Sequence, residues 1–265
     1  MPRERQLGSR AGSSSGIGAG ERLLHKRLAK QSEMCSSRRA AQLYYAPFAG
    51  YQSAMTNPGE TTAEHLLAFP GMRRVPTPRV ELFDRPAFLS PELCGRLIDL
   101  IERDRRPSTI ADENGDNYFR TSETCDLPPG EPAVVELENR LFELNGIDPA
   151  HGEPVQGQRY LAGQEFKAHT DYFEPSGRDF AKFCSVAGQR TWTFMIYLND
   201  VEAGGATRFK VVDKMFRPDQ GKLVCWNNHR PDGTLNAATL HHGMKVRKGV
   251  KYVITKWYRE KPWGW

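Results

Sequence analysis

With 265 residues and 38% hydrophobic content, the chain can form one large domain or two small ones with a sizeable core. No run approaches roughly 18 apolar residues, and no apolar stretch precedes a small-residue cleavage site, so we expect neither a membrane span nor a signal peptide, and a cytoplasmic protein. The five cysteines are widely spaced and form no CxxC pair, which argues against a disulfide framework or a zinc site.

The formal net charge of +5 is concentrated at the start of the chain. Residues 1–40 hold nine Lys and Arg against three Glu, whereas the rest of the chain holds 28 basic against 29 acidic residues. The larger part of the chain is therefore not basic. We expect a solvated N-terminal tail; contact of this basic arm with a nucleic acid or an acidic surface is the alternative, and a nucleic-acid partner is not the favoured one.

Residues 1–75 are predicted to form a basic, largely flexible extension. Residues 1 to about 20 are rich in Arg, Ser and Gly and carry too few large apolar side chains to form a core. Short helices are predicted over 21–31 and 62–68, with prolines interrupting the chain between them. We assign residues 76–265 to a single domain.

The domain is predicted to begin with a strand over 79–83 and two helices. Ser90 and Pro91 suit the N-cap and first position of a helix whose leucines recur at helical spacing. A second helix is predicted to begin at Pro132 and to end at Gly146. Both helices are expected to pack outside a sheet.

From residue 155 onward, short β-branched and aromatic runs alternate with Gly, Pro and Asp turns. Strands are predicted over 155–161, 191–199, 206–209, 222–226, 238–241 and 250–258. Many short strands separated by turns are typical of a sandwich or a barrel.

The triplet His169-Thr170-Asp171 offers an imidazole and a carboxylate two residues apart. On a strand, such residues point to the same face and could bind one metal ion. With His241 as a third ligand, the set matches the facial triad of non-haem Fe(II) oxygenases. Alone, the triplet is more often a histidine beside a turn aspartate, and His242 competes with His241 as the third ligand.

Four stretches around these residues carry a longer pattern. They read RYLAGQEFKAHTDYF at 159–173, YLNDVEAGGAT at 197–207, HHGMKV at 241–246 and KGVKY at 248–252. In this order they resemble the prolyl 4-hydroxylase-like branch of the Fe(II)/2-oxoglutarate dioxygenases, over about residues 76–262. The resemblance implies a mainly β (α+β) fold, with a double-stranded β-helix (jelly-roll, cupin-like) core and bracing helices.

The resemblance also implies roles for individual residues. Its spacing favours His241 over His242 as the ligand beside His169 and Asp171. The cosubstrate site would comprise Lys251, Tyr160 and Thr207, and the substrate groove would include Arg190, Trp257 and Phe166. A core tyrosine at 160 and a surface ion pair at Arg190 are the structural alternatives.

Lys251 stands ten positions after His241, where the family has a basic residue that binds the far carboxylate of 2-oxoglutarate. If Lys251 faces the interior, strand alternation turns Val253, Thr255 and Trp257 inward as well. An inward lysine among apolar neighbours is unfavourable unless an anion pairs with it. A dicarboxylate supplies that anion, and a solvent-facing edge lysine is the alternative.

The implied reaction couples oxidative decarboxylation of 2-oxoglutarate by O2 at Fe(II), giving succinate and CO2, to hydroxylation of a C–H bond. Ascorbate is expected to rescue uncoupled turnover. The expected substrate is a prolyl residue in a peptide or protein. A free amino acid or another small molecule is the first alternative, and a non-catalytic binding domain is the second. The sequence predicts no oligomeric state.

Departures from the family pattern concern the substrate side of the site. Phe166 stands where a Tyr is common, Lys245 replaces a Pro, and Arg259 occupies a position where a His is seen. The iron and cosubstrate residues follow the pattern.

Overall fold

Antiparallel strands and four helices make up the part of the chain that the structure describes. A computed structural model describes residues 61–108, 119–178 and 180–263. The helices are α1 (Thr62–Ala68), α2 (Pro91–Arg103), α3 (Pro132–Asn145) and α4 (Phe180–Cys184). The strands are β1 (Arg73–Arg74), β2 (Leu82–Arg85), β3 (Arg106–Pro107), β4 (Glu123–Asp126), β5 (Gln156–Tyr160), β6 (Phe166–His169), β7 (Arg190–Tyr197), β8 (Ala203–Gly204), β9 (Thr207–Phe209), β10 (Lys214–Phe216), β11 (Leu223–Asn227), β12 (His241–Gly243), β13 (Val246–Lys248) and β14 (Lys251–Arg259).

The described strands form three sheets in which neighbours run antiparallel. The large sheet has the order β1-β2-β11-β7-β14-β5-β4-β3, the small sheet the order β10-β9-β12-β6, and β13 pairs with β8. Many neighbouring strands are not consecutive in sequence, and the chain crosses between the two larger sheets, which lie face to face. The buried residues of the inner faces pack together, with Phe209 of the small sheet against Trp226 of the large one.

Helices α1, α2 and α3 cover the outer face of the large sheet. Ser90 Oγ accepts a hydrogen bond from the Leu93 amide at the start of α2, as predicted. Helix α3 ends at Gly146, which has φ 63° and so adopts the left-handed conformation that glycine tolerates best. Both predicted helices are confirmed, and their apolar faces share one core with the sheet.

Strand β14 lies in the centre of the large sheet and shows the predicted alternation. Ile254 and Tyr258 belong to the core under the helices, whereas Val253 belongs to the core between the two sheets. Lys256 also points to the helix side, where its Nζ lies 2.6 Å from Glu138 Oε1 on α3. The residues that alternate with the inward set, Ile254, Lys256 and Tyr258, are therefore covered by helices and not by solvent.

Two strand predictions need correction. The strand predicted over 79–83 begins only at Leu82, where pairing with β11 starts. The segment predicted as a strand over 238–241 is a 3-10 turn, Ala237–Thr239, because Asn236 Oδ1 accepts a hydrogen bond from the Ala238 amide and caps it. The strand proper begins at His241.

The predicted helix over 62–68 is confirmed as α1. Thr61 and Glu64 form a reciprocal capping box, and Leu66 is fully buried in the same core as α2 and α3. The domain boundary near residue 75 stays a prediction, and the helix predicted over 21–31 lies outside the described residues. Within the described ranges, no helix is long and apolar enough to cross a membrane.

Candidate metal centre and cosubstrate cavity

His169, Asp171 and His241 come together where β6 pairs with β12. His169 and His241 are partners across the antiparallel ladder, and their ring centroids lie 4.3 Å apart. Asp171 lies in the bend after β6, with its Oδ1 3.7 Å from His169 Nε2. One ligand atom from each residue lies within 4.8 Å of the others, so one ion could contact all three.

Both imidazoles are held with one nitrogen free to face an ion. His169 Nδ1 lies 2.8 Å from the Lys167 carbonyl oxygen, and His241 Nδ1 lies 3.0 Å from the Thr239 carbonyl oxygen. A carbonyl can only accept, so each Nδ1 carries the hydrogen and each Nε2 keeps its lone pair. Burial, with a smaller contribution from the neighbouring His241, lowers the pKa of His169 to about 3, which keeps its ring neutral.

Asp171 is held as a carboxylate. Burial acts to raise its pKa, but His241, His169 and Arg190 and the hydrogen bond from Thr193 hold the pKa below its usual range. Two neutral imidazoles and one carboxylate on one side of an ion are the donor set of Fe(II) oxygenase centres. The residues present therefore fit Fe(II).

Aromatic rings enclose the two histidines. Phe166 stacks on His169 with centroids 3.5 Å apart, and the Arg120 guanidinium lies over the Phe166 ring at 4.8 Å. Trp226 packs edge-on against His241 at 4.9 Å. Phe166 thus lies against a candidate metal ligand as well as beside the groove.

Lys251 lines the same inner cavity as the three candidate ligands. It is 3% exposed, and its Nζ lies 5.0 Å and 5.3 Å from the ring centroids of Tyr160 and Tyr197. Burial lowers the pKa of Lys251 to about 7. Across the described residues no carboxylate pairs with this ammonium, so the cavity can accept an anion beside it.

Tyr160 and Thr207 also line this cavity, and both hydroxyls have protein partners. The Tyr160 hydroxyl donates to Gln158 Oε1 at 2.7 Å, and burial raises the pKa of the phenol. Thr207 Oγ1 accepts from the Tyr197 hydroxyl at 2.7 Å and faces Met195 Sδ at 3.6 Å. Because a thioether is a weak acceptor, the Thr207 hydroxyl is the easier of the two to redirect to a carboxylate.

A wider groove of about 670 Å³ opens beside the candidate metal ligands, and Arg190, Trp257 and Phe166 line it. The Arg190 guanidinium lies 3.9 Å from the Trp257 ring centroid and binds both oxygens of Glu153, at 2.6 and 2.8 Å. Its Nη1 donates to the Asp171 carbonyl at 3.3 Å. Arg190 therefore lines the groove while hydrogen bonds to Glu153 and Asp171 hold its guanidinium in place.

His242 lies apart from the metal group. Its Nε2 is 3.0 Å from Glu165 Oε2, and Lys245 Nζ lies 3.7 Å from the other oxygen of that carboxylate. Alternation along β12 turns neighbouring side chains to opposite faces, so His242 cannot join His241 at one ion.

Among the residues near the site that were not predicted from the sequence, three hold other site side chains in place. Glu153 holds Arg190, Thr193 donates to Asp171, and Asn228 donates to Thr193. Thr193 lies on the inward face of the predicted strand 191–199, which was the available signal. Glu153 and Asn228 lie outside regular strands, and no local pattern indicates their contacts.

Comparison with known proteins gives the family. The sequence profile of the 2OG-Fe(II) oxygenase superfamily matches residues 155–259. Probable prolyl 4-hydroxylase 10 of Arabidopsis thaliana is 32% identical over 208 residues, which cover 69% of this chain and 69% of that protein. The chain belongs to the prolyl 4-hydroxylase family of 2OG-Fe(II) oxygenases.

Other relatives within the prolyl 4-hydroxylase family agree. Prolyl 4-hydroxylase subunit alpha-1 of Gallus gallus is 32% identical over 145 residues, covering 54% of this chain and 28% of that protein. A viral collagen prolyl hydroxylase from Paramecium Bursaria Chlorella virus-1, solved as its 2OG complex, is 25% identical with a TM-score of 0.53. The match covers 67% of this chain and 95% of the viral one. The predicted jelly-roll core with bracing helices is confirmed.

Proposed function

We propose that this protein hydroxylates a prolyl residue in a peptide or protein, with Fe(II) held by His169, Asp171 and His241. The observation that carries the proposal is one cavity lined by both this ligand set and the buried ammonium of Lys251, which has no counter-anion among the described residues. Family membership supplies the reaction class. We also propose residues 76–265 as the catalytic domain.

The protein's part in the reaction is to bind and orient Fe(II) and 2-oxoglutarate. Fe(II) and 2-oxoglutarate, when bound, supply O2-dependent decarboxylation to succinate and CO2 coupled to C–H hydroxylation. His169 and His241 present Nε2 lone pairs, and Asp171 presents Oδ1, all from one side, which leaves positions for cosubstrate and O2. Lys251 binds the far carboxylate of 2-oxoglutarate, with Thr207 as the closest hydroxyl able to turn toward it.

The groove supports an extended peptide as substrate. Trp257 lines the groove, and the Arg190 guanidinium covers one face of its ring and holds it in place, so a pyrrolidine ring would stack on the opposite face. Phe166 adds a second aromatic wall beside His169. Glu153, one of the acidic residues of this groove, is bound to Arg190 and so is not free for the ammonium group of a free amino acid.

The test is turnover with matched peptides. We expect a proline-containing peptide to stimulate succinate formation and to gain the mass of one oxygen atom on proline, whereas the same peptide with Pro replaced by Ala does neither. Ascorbate is proposed as the reductant that sustains turnover and is included in each assay. Oxidation of free proline or another amino acid, with no peptide oxidised, would replace the peptide proposal with the small-molecule alternative.

A further inference from the structure

Asp171 is bonded to a chain of buried polar groups that leads away from the cavity. Its Oδ2 accepts a hydrogen bond from the Thr193 hydroxyl at 2.8 Å, and Thr193 Oγ1 accepts one from Asn228 Nδ2 at 3.0 Å. Thr193 and Asn228 are both 0% exposed. Thr193 lies on β7, Asn228 directly follows β11, and neither side chain lines the inner cavity.

The direction of these two hydrogen bonds follows from what each group can donate. A hydroxyl has one hydrogen to give and lone pairs to accept with. Since the Asn228 amide donates to Thr193, the Thr193 hydrogen is left to point at Asp171. A reversed amide would place its oxygen against the hydroxyl and draw that hydrogen away from the carboxylate.

The orientation of the Asn228 side-chain amide is unfavourable for its own oxygen atom. Its Oδ1 is buried and has no hydrogen-bond partner among the described residues. A buried, unpaired carbonyl oxygen loses its hydration without replacement, so such groups are rare unless the orientation serves another contact. Here that contact is the donation to Thr193.

With Oδ2 engaged, Oδ1 is the oxygen that faces His169 Nε2 at 3.7 Å. We infer that Thr193, itself oriented by Asn228, is a positioning residue that holds Asp171 as a one-oxygen ligand. This inference rests on the proposed role of Asp171 in binding Fe(II). A carboxylate free to rotate would present Oδ1 to the ion only part of the time, and, when bound through both oxygens, would occupy a position that the cosubstrate or O2 requires.

The test compares Co(II) affinity, measured by calorimetry, among variants of the full chain. Thr193→Val removes the hydroxyl at nearly constant shape and should weaken Co(II) binding by about 10- to 100-fold, the usual effect of losing a partner of a metal ligand. Thr193→Ser keeps the hydroxyl and should bind Co(II) nearly as the unmodified protein does. Thr191→Val is the matched control, because the Thr191 hydroxyl lies on the same strand but donates to the Tyr258 carbonyl at 3.2 Å.

A second comparison tests whether Asn228 acts through Thr193. Asn228→Ala should weaken Co(II) binding less than Thr193→Val does, and should add no further loss in the Thr193→Val background. Thr193→Val should also raise the ratio of 2-oxoglutarate consumed to product formed.

Several results would overturn the inference. A Co(II) affinity of Thr193→Val equal to that of the unmodified protein would remove the positioning role. Equal losses in Thr193→Ser and Thr193→Val would assign the effect to packing. If thermal melting shows that Thr193→Val does not fold, unchanged Co(II) affinity in Asn228→Ala overturns the inference instead. Failure of the unmodified protein to bind Co(II) would overturn the proposed function as well.

Discussion

Lys251 is a buried cation. We propose that its counter-ion is the far carboxylate of 2-oxoglutarate. Because Lys251 is 3% exposed, replacing it removes a desolvated charge pair and not a surface contact. Lys251→Ala should raise the KM for 2-oxoglutarate by roughly one to three orders of magnitude, the scale of about 2–5 kcal/mol for a buried charge-paired contact. Steady-state succinate formation measures this, and an unchanged KM would remove Lys251 from the cosubstrate site.

The same lysine predicts how cosubstrate binding depends on pH. Burial lowers the pKa of free Lys251 to about 7, whereas a bound carboxylate favours the charged form and raises that pKa in the complex. As pH rises above 7, the free protein loses a proton that the complex keeps. The affinity for 2-oxoglutarate should therefore fall by up to about tenfold per pH unit above 7 and level off below it.

The control for this pH profile is Lys251→Arg, because a guanidinium stays charged throughout this range. Its affinity for 2-oxoglutarate, measured by calorimetry with Co(II) present, should show a flatter dependence on pH. Parallel profiles in the two proteins would mean that another group titrates.

The sequence alone leaves both His241 and His242 as candidates for the third metal ligand. Their substitutions should nevertheless have different effects. His241→Ala should abolish Co(II) binding and 2-oxoglutarate turnover, because it removes one of three candidate ligand atoms. His242→Ala should leave both within a few-fold, since this ring contacts Glu165 on the other face of β12. The opposite pattern would assign the third ligand to His242.

At the scale of elements, the contact between α2 and the large sheet depends on a glycine. A Cβ added to Gly157 on β5 would lie 2.4 Å from Ile101 Cγ1 on α2, so Gly157→Ala must displace the helix or the side chain. We expect a loss of about 1–3 kcal/mol in the free energy of unfolding. Chemical denaturation measures it, and a neutral result would show that the interface can move apart.

The matched control for that prediction lies on α2 itself. A Cβ at Gly95 meets nothing within 4 Å, and Gly95 occupies the helix interior. Gly95→Ala should therefore stabilise the protein by about 0.5–1 kcal/mol, through the higher helix propensity of alanine.

Elements with strong local signals were predictable, and contacts between distant elements were not. The capped helix α2 and the long central strands β7 and β14 follow from spacing and caps within a few residues. Strands such as β10 and β13 have only three residues and gain their pairing from the sheet, so no local pattern marks them. The fold class and ligand set came from the resemblance.

The same distinction applies within the site. His169 and Asp171 are close in sequence, and alternation along β14 correctly grouped Lys251 with Trp257. The bond from Glu153 to Arg190 joins a loop to the start of a strand 37 residues later. Such a pairing is determined only when the whole chain is folded, so neither partner predicts the other.

At the scale of the whole molecule, the inner cavity is lined by residues between Arg120 and Trp257. Residues 1 to about 20 lie outside the described part of the chain, and their composition predicts no core. Deleting them should leave turnover within a few-fold and Co(II) affinity unchanged. Loss of Co(II) binding in the shortened protein would show that the segment contributes to the fold.

Strand β14 fixes the spacing between two residues of the candidate active site. Lys251 and Trp257 stand six residues apart on it, about 20 Å along the strand, and both face the same cavity. Removing a single residue between them would turn one of the two toward the helices. Backbone changes can therefore alter the depth of the cavity only in two-residue steps of about 7 Å, too coarse to accommodate one more methylene. Within β14, the length of side chain 251 is therefore the feature that could adapt the cavity to a dicarboxylate of another length.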